Sequence, residues 1–171
     1  MKRILALAFS LLILSFIDTK AERYYYFDHL DMTDGLFSNT IYCSHQDSNG
    51  FVWIGTRDGL CRYDGNSFTR LSELVSGYES SGSVFAITED KDGRIWFSTS
   101  SDILYYDPDT NRLSNIGKPG ERPCFCMESD KNGNVWFAAG HLFRHNTIDG
   151  GIHTYTFDTP VTSIAMDSYG A

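Results

Sequence analysis

Residues 47–53 read DSNGFVW, and the same pattern returns as DKDGRIW at 90–96 and as DKNGNVW at 130–136. A fourth copy begins as DSYG at 167–170, and the four aspartates are spaced by 43, 40 and 37 residues. Self-similarity at a period of roughly 20 to 50 residues is the signature of a repeat protein. The sequence therefore predicts one structural unit that is used several times.

Each copy predicts a small antiparallel sheet. An apolar run precedes an Asp-x-x-Gly turn, in which the aspartate can bond backbone amides two residues on and the glycine can adopt positive φ. A second run carries the tryptophan, a third ends in an aromatic residue, and another turn leads to a fourth run. Four short strands in a repeat of about 40 residues are typical of a β-propeller blade.

We therefore predict an all-β fold class: an incomplete β-propeller with about three four-stranded blades and the start of a fourth. The predicted blades span 41–78, 84–118 and 122–157, and 161–171 is a truncated fourth copy. Residues 22–40 are predicted to form a strand-like segment ahead of the first blade. Because the fourth copy stops before its tryptophan, and domains rarely stop where a strand lacks its partner, we interpret the chain as a fragment.

Residues 1–21 are predicted to be a secretory signal peptide. Lys2 and Arg3 give a positive start, residues 4–17 an apolar core, and residues 19–21 a plausible cleavage site. The apolar run of 14 residues is short for a membrane span. We therefore expect an exported protein with no membrane span beyond the signal peptide.

The charge of the chain argues against two classes of partner. Loss of residues 1–21 removes three basic residues and one acidic one, and changes the net charge from −8 to −10. An acidic surface disfavours nucleic acid and anionic membranes. No nucleic-acid partner is therefore expected.

Four cysteines in an exported chain would ordinarily indicate disulfides. The repeat register favours free thiols instead, because Cys43 and Cys126 fall at the position that Ala86 and Ser163 occupy in the other copies. That position demands a small side chain, and a buried free cysteine behaves as a small hydrophobe.

The recurring residues are interpreted as structural, since turn aspartates stabilise turns and the tryptophans have a fixed place in the repeat. No catalytic, metal-binding or cofactor-binding residue is predicted. The structural repeat positions are Asp47, Gly50, Trp53, Asp90, Gly93, Trp96, Asp130, Gly133, Trp136, Asp167 and Gly170.

Two patterns that suggest metal sites are better explained otherwise. Residues 107–118 begin like a calcium loop but lack the glycine at the sixth position and the glutamate at the twelfth. His141 and His145 are four residues apart, which is a shared ligand geometry on a helix but not on a strand. His145 also falls at the repeat position of Tyr63 and Tyr106, which favours aromatic packing.

The first copy and its flanks carry a family resemblance. Residues 35–42 (GLFSNTIY) lead into 46–60 (QDSNGFVWIGTRDGL) and continue as RYDG at 62–65. This run resembles the opening blade of the two-component regulator propeller, and the later copies match its looser pattern. The resemblance covers about residues 24–171.

The resemblance implies a periplasmic sensor region of a hybrid two-component histidine kinase. Full-length relatives are anchored in the inner membrane, carry kinase, receiver and DNA-binding modules, form a possible dimer and respond to glycan-derived ligands. None of those modules falls in this chain, so we expect no enzymatic activity from it. The alternatives are part of an exported propeller enzyme, sialidase-like or lyase-like, or of a protein-binding scaffold propeller. Loops that vary between the copies are the better candidates for ligand contact, and residues 74–83 form the longest of them. No individual ligand-binding residue is predicted.

Overall fold

The computed structural model describes residues 24–79, 82–118 and 120–167, in which twelve strands form three four-stranded antiparallel sheets. The first blade contains β1 (Ile41–Gln46), β2 (Val52–Thr56), β3 (Gly59–Tyr63) and β4 (Phe68–Arg70). The second contains β5 (Val84–Glu89), β6 (Ile95–Thr99), β7 (Ile103–Asp107) and β8 (Arg112–Gly117). The third contains β9 (Cys126–Ser129), β10 (Asn134–Ala139), β11 (His141–Asn146) and β12 (Ile152–Tyr155). The predicted all-β class and the three blades are confirmed.

Helical structure is limited to two short pieces in the described part of the chain. Met32–Asp34 form a 3-10 helix before β1, and α1 (Leu71–Leu74) follows β4. No helix among the described residues is both long enough and apolar enough to cross a membrane.

The three sheets fan out from their first strands. Within each sheet the strands follow chain order, and each pairs with the next. Neighbouring sheets meet through β1 against β5 and through β5 against β9, so these three strands form the inner edge of the fan. The arrangement is an open series of blades, since the three described sheets do not close into a ring.

Two apolar layers hold the blades together. The layer between the first and second blades includes Trp53, Phe97 and Tyr106, and the layer between the second and third includes Trp96 and Phe137. Every residue of β6 is buried, because both faces of the second blade are covered. By contrast, β1 and β12 contain no buried residue, since they lie at the margins of the described structure.

The prediction of a strand-like segment at 22–40 is wrong for its described part. Residues 24–31 lie outside any strand, and a 3-10 helix capped by the Asp31 side chain follows them. A strand forms only against the hydrogen-bonding edge of a neighbour, and none of the three described sheets includes this segment. Farther along, Leu36 and Ser38 are buried, and Phe37 lies under the Arg70 guanidinium at 4.2 Å.

The predicted signal peptide and the predicted fourth copy lie wholly or partly outside the described residues. The predicted signal peptide, 1–21, lies outside the described residues. In the fourth copy Val161 makes an isolated bridge to Gly140, and residues 162–167 carry no secondary structure. In the complete blades the strand before the turn aspartate pairs with the strand that follows the turn. In the fourth copy the turn begins at Asp167, and residues 168–171 lie outside the described part.

Candidate functional site

The turn aspartate of the first blade accepts three hydrogen bonds. Oδ1 of Asp47 accepts from the backbone N–H of Asn49 at 3.0 Å and of Phe51 at 2.9 Å. Its Oδ2 accepts from Nε1 of Trp53 at 2.7 Å. Gly50 completes the turn with φ of 90°, a left-handed conformation that favours glycine. The carboxylate thus joins the hairpin turn to the tryptophan of β2, an arrangement we call the Asp–Trp lock.

The lock recurs in the second and third blades. Asp90 accepts from Nε1 of Trp96 at 2.7 Å, and Asp130 accepts from Nε1 of Trp136 at 2.8 Å. Backbone N–H groups two and four residues after each aspartate donate to its Oδ1 at 2.9 to 3.1 Å. The turn glycines are Gly93, with φ of 78°, and Gly133, with φ of 83°.

The locks leave their carboxylates little capacity for chemistry. Burial of Asp130 disfavours its charged form, but hydrogen bonds from Trp136 and Asn134 outweigh that effect and lower the pKa of the carboxyl below its ordinary value. In the second blade Arg94 adds an ion pair, with its Nε 2.8 Å from Oδ2 of Asp90. The lock carboxylates are thus engaged in holding the hairpin turns to the tryptophans. Of the fourth copy, Asp167 ends the described residues and Gly170 lies outside them.

The lock tryptophans also form the contact between blades. The ring of Trp53 lies 5.6 Å from that of Tyr106 on the next blade, and the ring of Trp96 lies 5.0 Å from that of His145. His145 therefore takes the place in the third blade that Tyr106 takes in the second. Offset and tilted ring pairs of this kind add to the stabilisation from burial alone.

His145 is a titratable group inside that contact. Burial lowers the pKa of its imidazole, and the nearby positive charge of Arg94 lowers it further, while Asp149 and Asp90 oppose the shift. Its Nδ1 has no hydrogen-bond partner among the described residues. Because the folded state favours the neutral ring, the unfolded chain takes up a proton first as the pH falls through about 6.5.

We expect this histidine to make stability depend on pH. The free energy of unfolding should fall as the pH is lowered from about 7 to about 5, because the unfolded state binds more protons there. His145→Phe keeps the ring, so it should flatten this dependence. Urea unfolding at several pH values measures the effect, with His153→Phe as the control because His153 is exposed. An equal slope in H145F and the unaltered protein would contradict the assignment.

The described residues contain no group of three or more His, Cys, Asp or Glu side chains placed to hold a metal ion. His145 faces Trp96, whereas the ring of His153 packs edge-on against Tyr155 at 4.6 Å. Oδ1 of Asp107 accepts from two backbone N–H groups of its own turn, at 3.0 and 3.2 Å. His145, His153 and Asp107 therefore each contact different neighbours and do not share a site.

All four cysteines are free thiols. Burial raises the pKa of Cys43 and of Cys124 to about 12, so both are neutral near pH 7. The Cys43 thiol donates to the carbonyl of Val84 on the neighbouring blade at 3.7 Å. It therefore acts as a small side chain between two sheets, with little of the thiolate that nucleophilic chemistry needs.

The connection at 74–83 begins within the apolar layer. Leu71 and Val75 are buried, and Leu74 and Tyr78 pack against the layer between the first two blades. The first part of this connection therefore stabilises the blade contact. Residues 80–81 lie outside the described part of the chain.

Three aromatic side chains at the inner edge form a feature that our sequence analysis missed. The ring of Phe85 lies 5.1 Å from that of Tyr42 and 5.1 Å from that of Phe125, so the three make a continuous row across the blades. We call these three residues the inner aromatic row. The signal was present in the sequence, since an aromatic residue occurs five positions before each of the first three turn aspartates.

The Phe125 end of the row opens into a cleft of about 210 Å³. Arg122, Phe125 and Thr162 line it together with proline, valine and alanine side chains. An adjoining cleft of about 200 Å³ shares Arg122. Its other polar lining residues are Glu121, His141 and Asp158. Concave surfaces with a few convergent polar groups are the usual form of ligand sites.

Comparison with known proteins identifies the repeats. Residues 35–58 and 78–101 match the family described as two component regulator propeller. A stretch of 63 residues, 35% of this chain, is 38% identical to Histidine kinase P4 of Formosa agariphila and covers 5% of that protein. The resemblance seen in the sequence is confirmed.

Solved structures share the fold. The extracellular domain described for the hybrid two component system BT4673 of B. thetaiotaomicron has a TM-score of 0.68 and 21% identity, over 82% of this chain and 21% of that one. Virginiamycin B lyase of Staphylococcus aureus has a TM-score of 0.58 and 19% identity, over 70% of this chain and 42% of that one. At these identities the likeness shows the fold alone. The chain spans about a fifth of the sensor domain's length.

Proposed function

We propose that this chain, which carries two-component regulator propeller repeats, is part of the exported ligand-sensing propeller of a hybrid two-component sensor kinase. Its ligand is derived from a glycan, and the blades bind it without catalysis. We place the sensing region in the periplasm, attached through the full receptor to the inner membrane, with two receptors forming a dimer.

The character of the clefts at the inner edge carries this proposal. The 210 Å³ cleft combines the exposed Phe125 ring with the polar side chains of Arg122 and Thr162, and the 200 Å³ cleft adds Glu121, His141 and Asp158. The repeated carboxylates, by contrast, are held inside the Asp–Trp locks. Such a surface suits the binding of a ligand. The lyase-like alternative has only the shared fold in its favour.

A reporter fusion tests export. Residues 1–40 joined to alkaline phosphatase should give active enzyme in a Gram-negative host, because that enzyme needs disulfides that form only outside the cytoplasm. Residues 22–40 joined to the same reporter are the control and should give none. Equal activity with and without residues 1–21 would contradict an exported sensor.

A glycan panel tests the ligand class. Protein expressed without residues 1–21 should show heat of binding with at least one class of oligosaccharide in titration calorimetry. Chromatography of the same mixtures should recover each oligosaccharide intact. Release of shortened products would favour the exported-enzyme alternative, and a panel without any binding would contradict the proposed sensing function.

A further inference from the structure

We infer that the inner aromatic row and Arg122 together bind a short oligosaccharide that carries an acidic group. The inference rests on the proposed glycan-sensing function and names the site and the chemical class of its ligand. The aromatic rings would stack on the sugar rings, and the guanidinium would pair with a carboxylate or sulfate of the same ligand.

The backbone sets the orientation of the row. The pairing of β1 with β2 shifts register between Ile41 and Cys43, and that of β5 with β6 shifts between Val84 and Ala86. Tyr42 and Phe85 are therefore the extra residues of two equivalent β-bulges. A bulge re-aims a side chain, and bulges are frequent beside binding sites.

The row contributes little to the apolar layers that hold the blades. Tyr42 is 46% exposed and Phe125 is 63% exposed, whereas the lock tryptophan Trp96 is fully buried. Adjacent exposed rings leave apolar area in water, and such contiguous patches mark interaction sites. A ligand that covers the rings removes that area from water.

The shape and chemistry of the row suit a sugar chain. Successive rings are 5.1 Å apart at the same repeat position of three consecutive blades, and their planes are inclined by 45° and 67°, so the row is extended and presents both ring faces and ring edges. The C–H faces of sugar rings pack on aromatic faces, while their hydroxyl groups need polar neighbours. Ser44 and Gln46 are exposed on β1, and Thr162 lines the cleft at the other end.

Arg122 supplies the preference for an acidic ligand. It is the one charged side chain among the described residues that line the 210 Å³ cleft beside Phe125, whereas Glu121 and Asp158 line only the adjoining 200 Å³ cleft. It is exposed, and it makes no hydrogen bond or ion pair within 24–79, 82–118 and 120–167. An arginine fork can form two parallel charge-assisted hydrogen bonds with a carboxylate or sulfate.

Trigalacturonate and its methyl ester test the pairing, because the ester keeps the sugar rings and removes the charge. Titration of the protein lacking residues 1–21 should show the acid binding about tenfold more tightly than the ester. R122Q should abolish that difference, whereas R112Q, which changes an exposed arginine at the start of β8, should preserve it. A sulfated disaccharide in a third titration distinguishes a sulfate ligand from a carboxylate.

Substitutions in the row test the stacking. F85A should weaken the acid and the ester alike by about tenfold. F125A removes the most exposed ring of the row and should also weaken binding of both ligands. Because Phe125 has the least packing of the three, this variant tests the stacking even if F85A does not fold. I148A removes an exposed apolar side chain from the turn between β11 and β12 and should leave binding unchanged.

The outcomes separate this inference from the proposed function. Glycans that bind equally well to R122Q, F85A and F125A would overturn the site while leaving a glycan sensor in place. Binding of neutral oligosaccharides alone, or of an acidic peptide in preference to the acidic sugar, would overturn the ligand class. Failure of every glycan to bind would overturn the proposed function and the site with it.

Discussion

Asp90→Ala will lower the free energy of unfolding by about 3–5 kcal/mol, because it removes the acceptor from several buried donors. The carboxylate is fully buried and accepts from Nε1 of Trp96 and from the backbone N–H groups of Asp92 and Arg94. The substitution also leaves the Arg94 guanidinium without its 2.8 Å ion pair. Each donor would have to be left unsatisfied or become exposed to water. Urea unfolding monitored by tryptophan fluorescence measures the loss.

Asp92→Ala is the matched control for this prediction. Asp92 contacts the same arginine at 2.9 Å, but its side chain is 53% exposed, so its loss should cost less than about 1 kcal/mol. Asp90→Asn should fall between the two, since the amide keeps an acceptor but turns an N–H₂ group toward a donor. Equal losses in D90A and D92A would show that the Asp–Trp lock does not stabilise the blade.

Trp96→Ala will destabilise the protein more than Trp136→Ala, although the two residues hold the same position in their repeats. Trp96 is fully buried, with Tyr105 at 4.7 Å in its own blade and His145 at 5.0 Å in the next. Trp136 is half-buried and stacks on Tyr155 of its own blade at 5.6 Å. Removing a buried tryptophan costs about 3–5 kcal/mol, and W136A should cost at least about 1 kcal/mol less.

The pair of substitutions isolates the contribution of the neighbouring blade. Each one leaves its own aspartate without the indole donor, so the loss of the lock is common to both. The difference between the two losses in free energy of unfolding therefore reports packing across the blade contact. Equal losses, or a larger loss in W136A, would contradict the stacking of successive blades.

The sequence allowed the turns to be predicted, because their chemistry is local. The aspartate was expected to bond an amide two residues on, and Asp47 does so with Asn49 at 3.0 Å. Its second bond, to the indole of Trp53, was not predicted, because it depends on how β2 lies against the turn. The aromatic slot of His145 was predicted from register, and its contact with Trp96 on another blade required the structure.

Features that depend on strand pairing were predicted less well. The aromatic residue five positions before each of the first three turn aspartates is visible in the sequence. The two β-bulges that re-aim Tyr42 and Phe85 are not, because an extra unpaired residue has no fixed mark in a sequence. Residues 24–31 have the aromatic composition of a strand, yet they form none, because composition does not supply a neighbouring edge. Arg122 could not be predicted as a binding residue from the sequence, because only the structure places it in one cleft with Phe125 and Thr162.

Hydrogen exchange of the three tryptophan indoles tests the repeated blade most directly. In a ¹H–¹⁵N spectrum of the protein lacking residues 1–21, the account predicts three protected indole N–H signals, one for each Asp–Trp lock. Asp47→Asn, Asp90→Asn and Asp130→Asn should each perturb chiefly the signal of the tryptophan six residues later. Three rapidly exchanging indoles that are insensitive to these substitutions would contradict it.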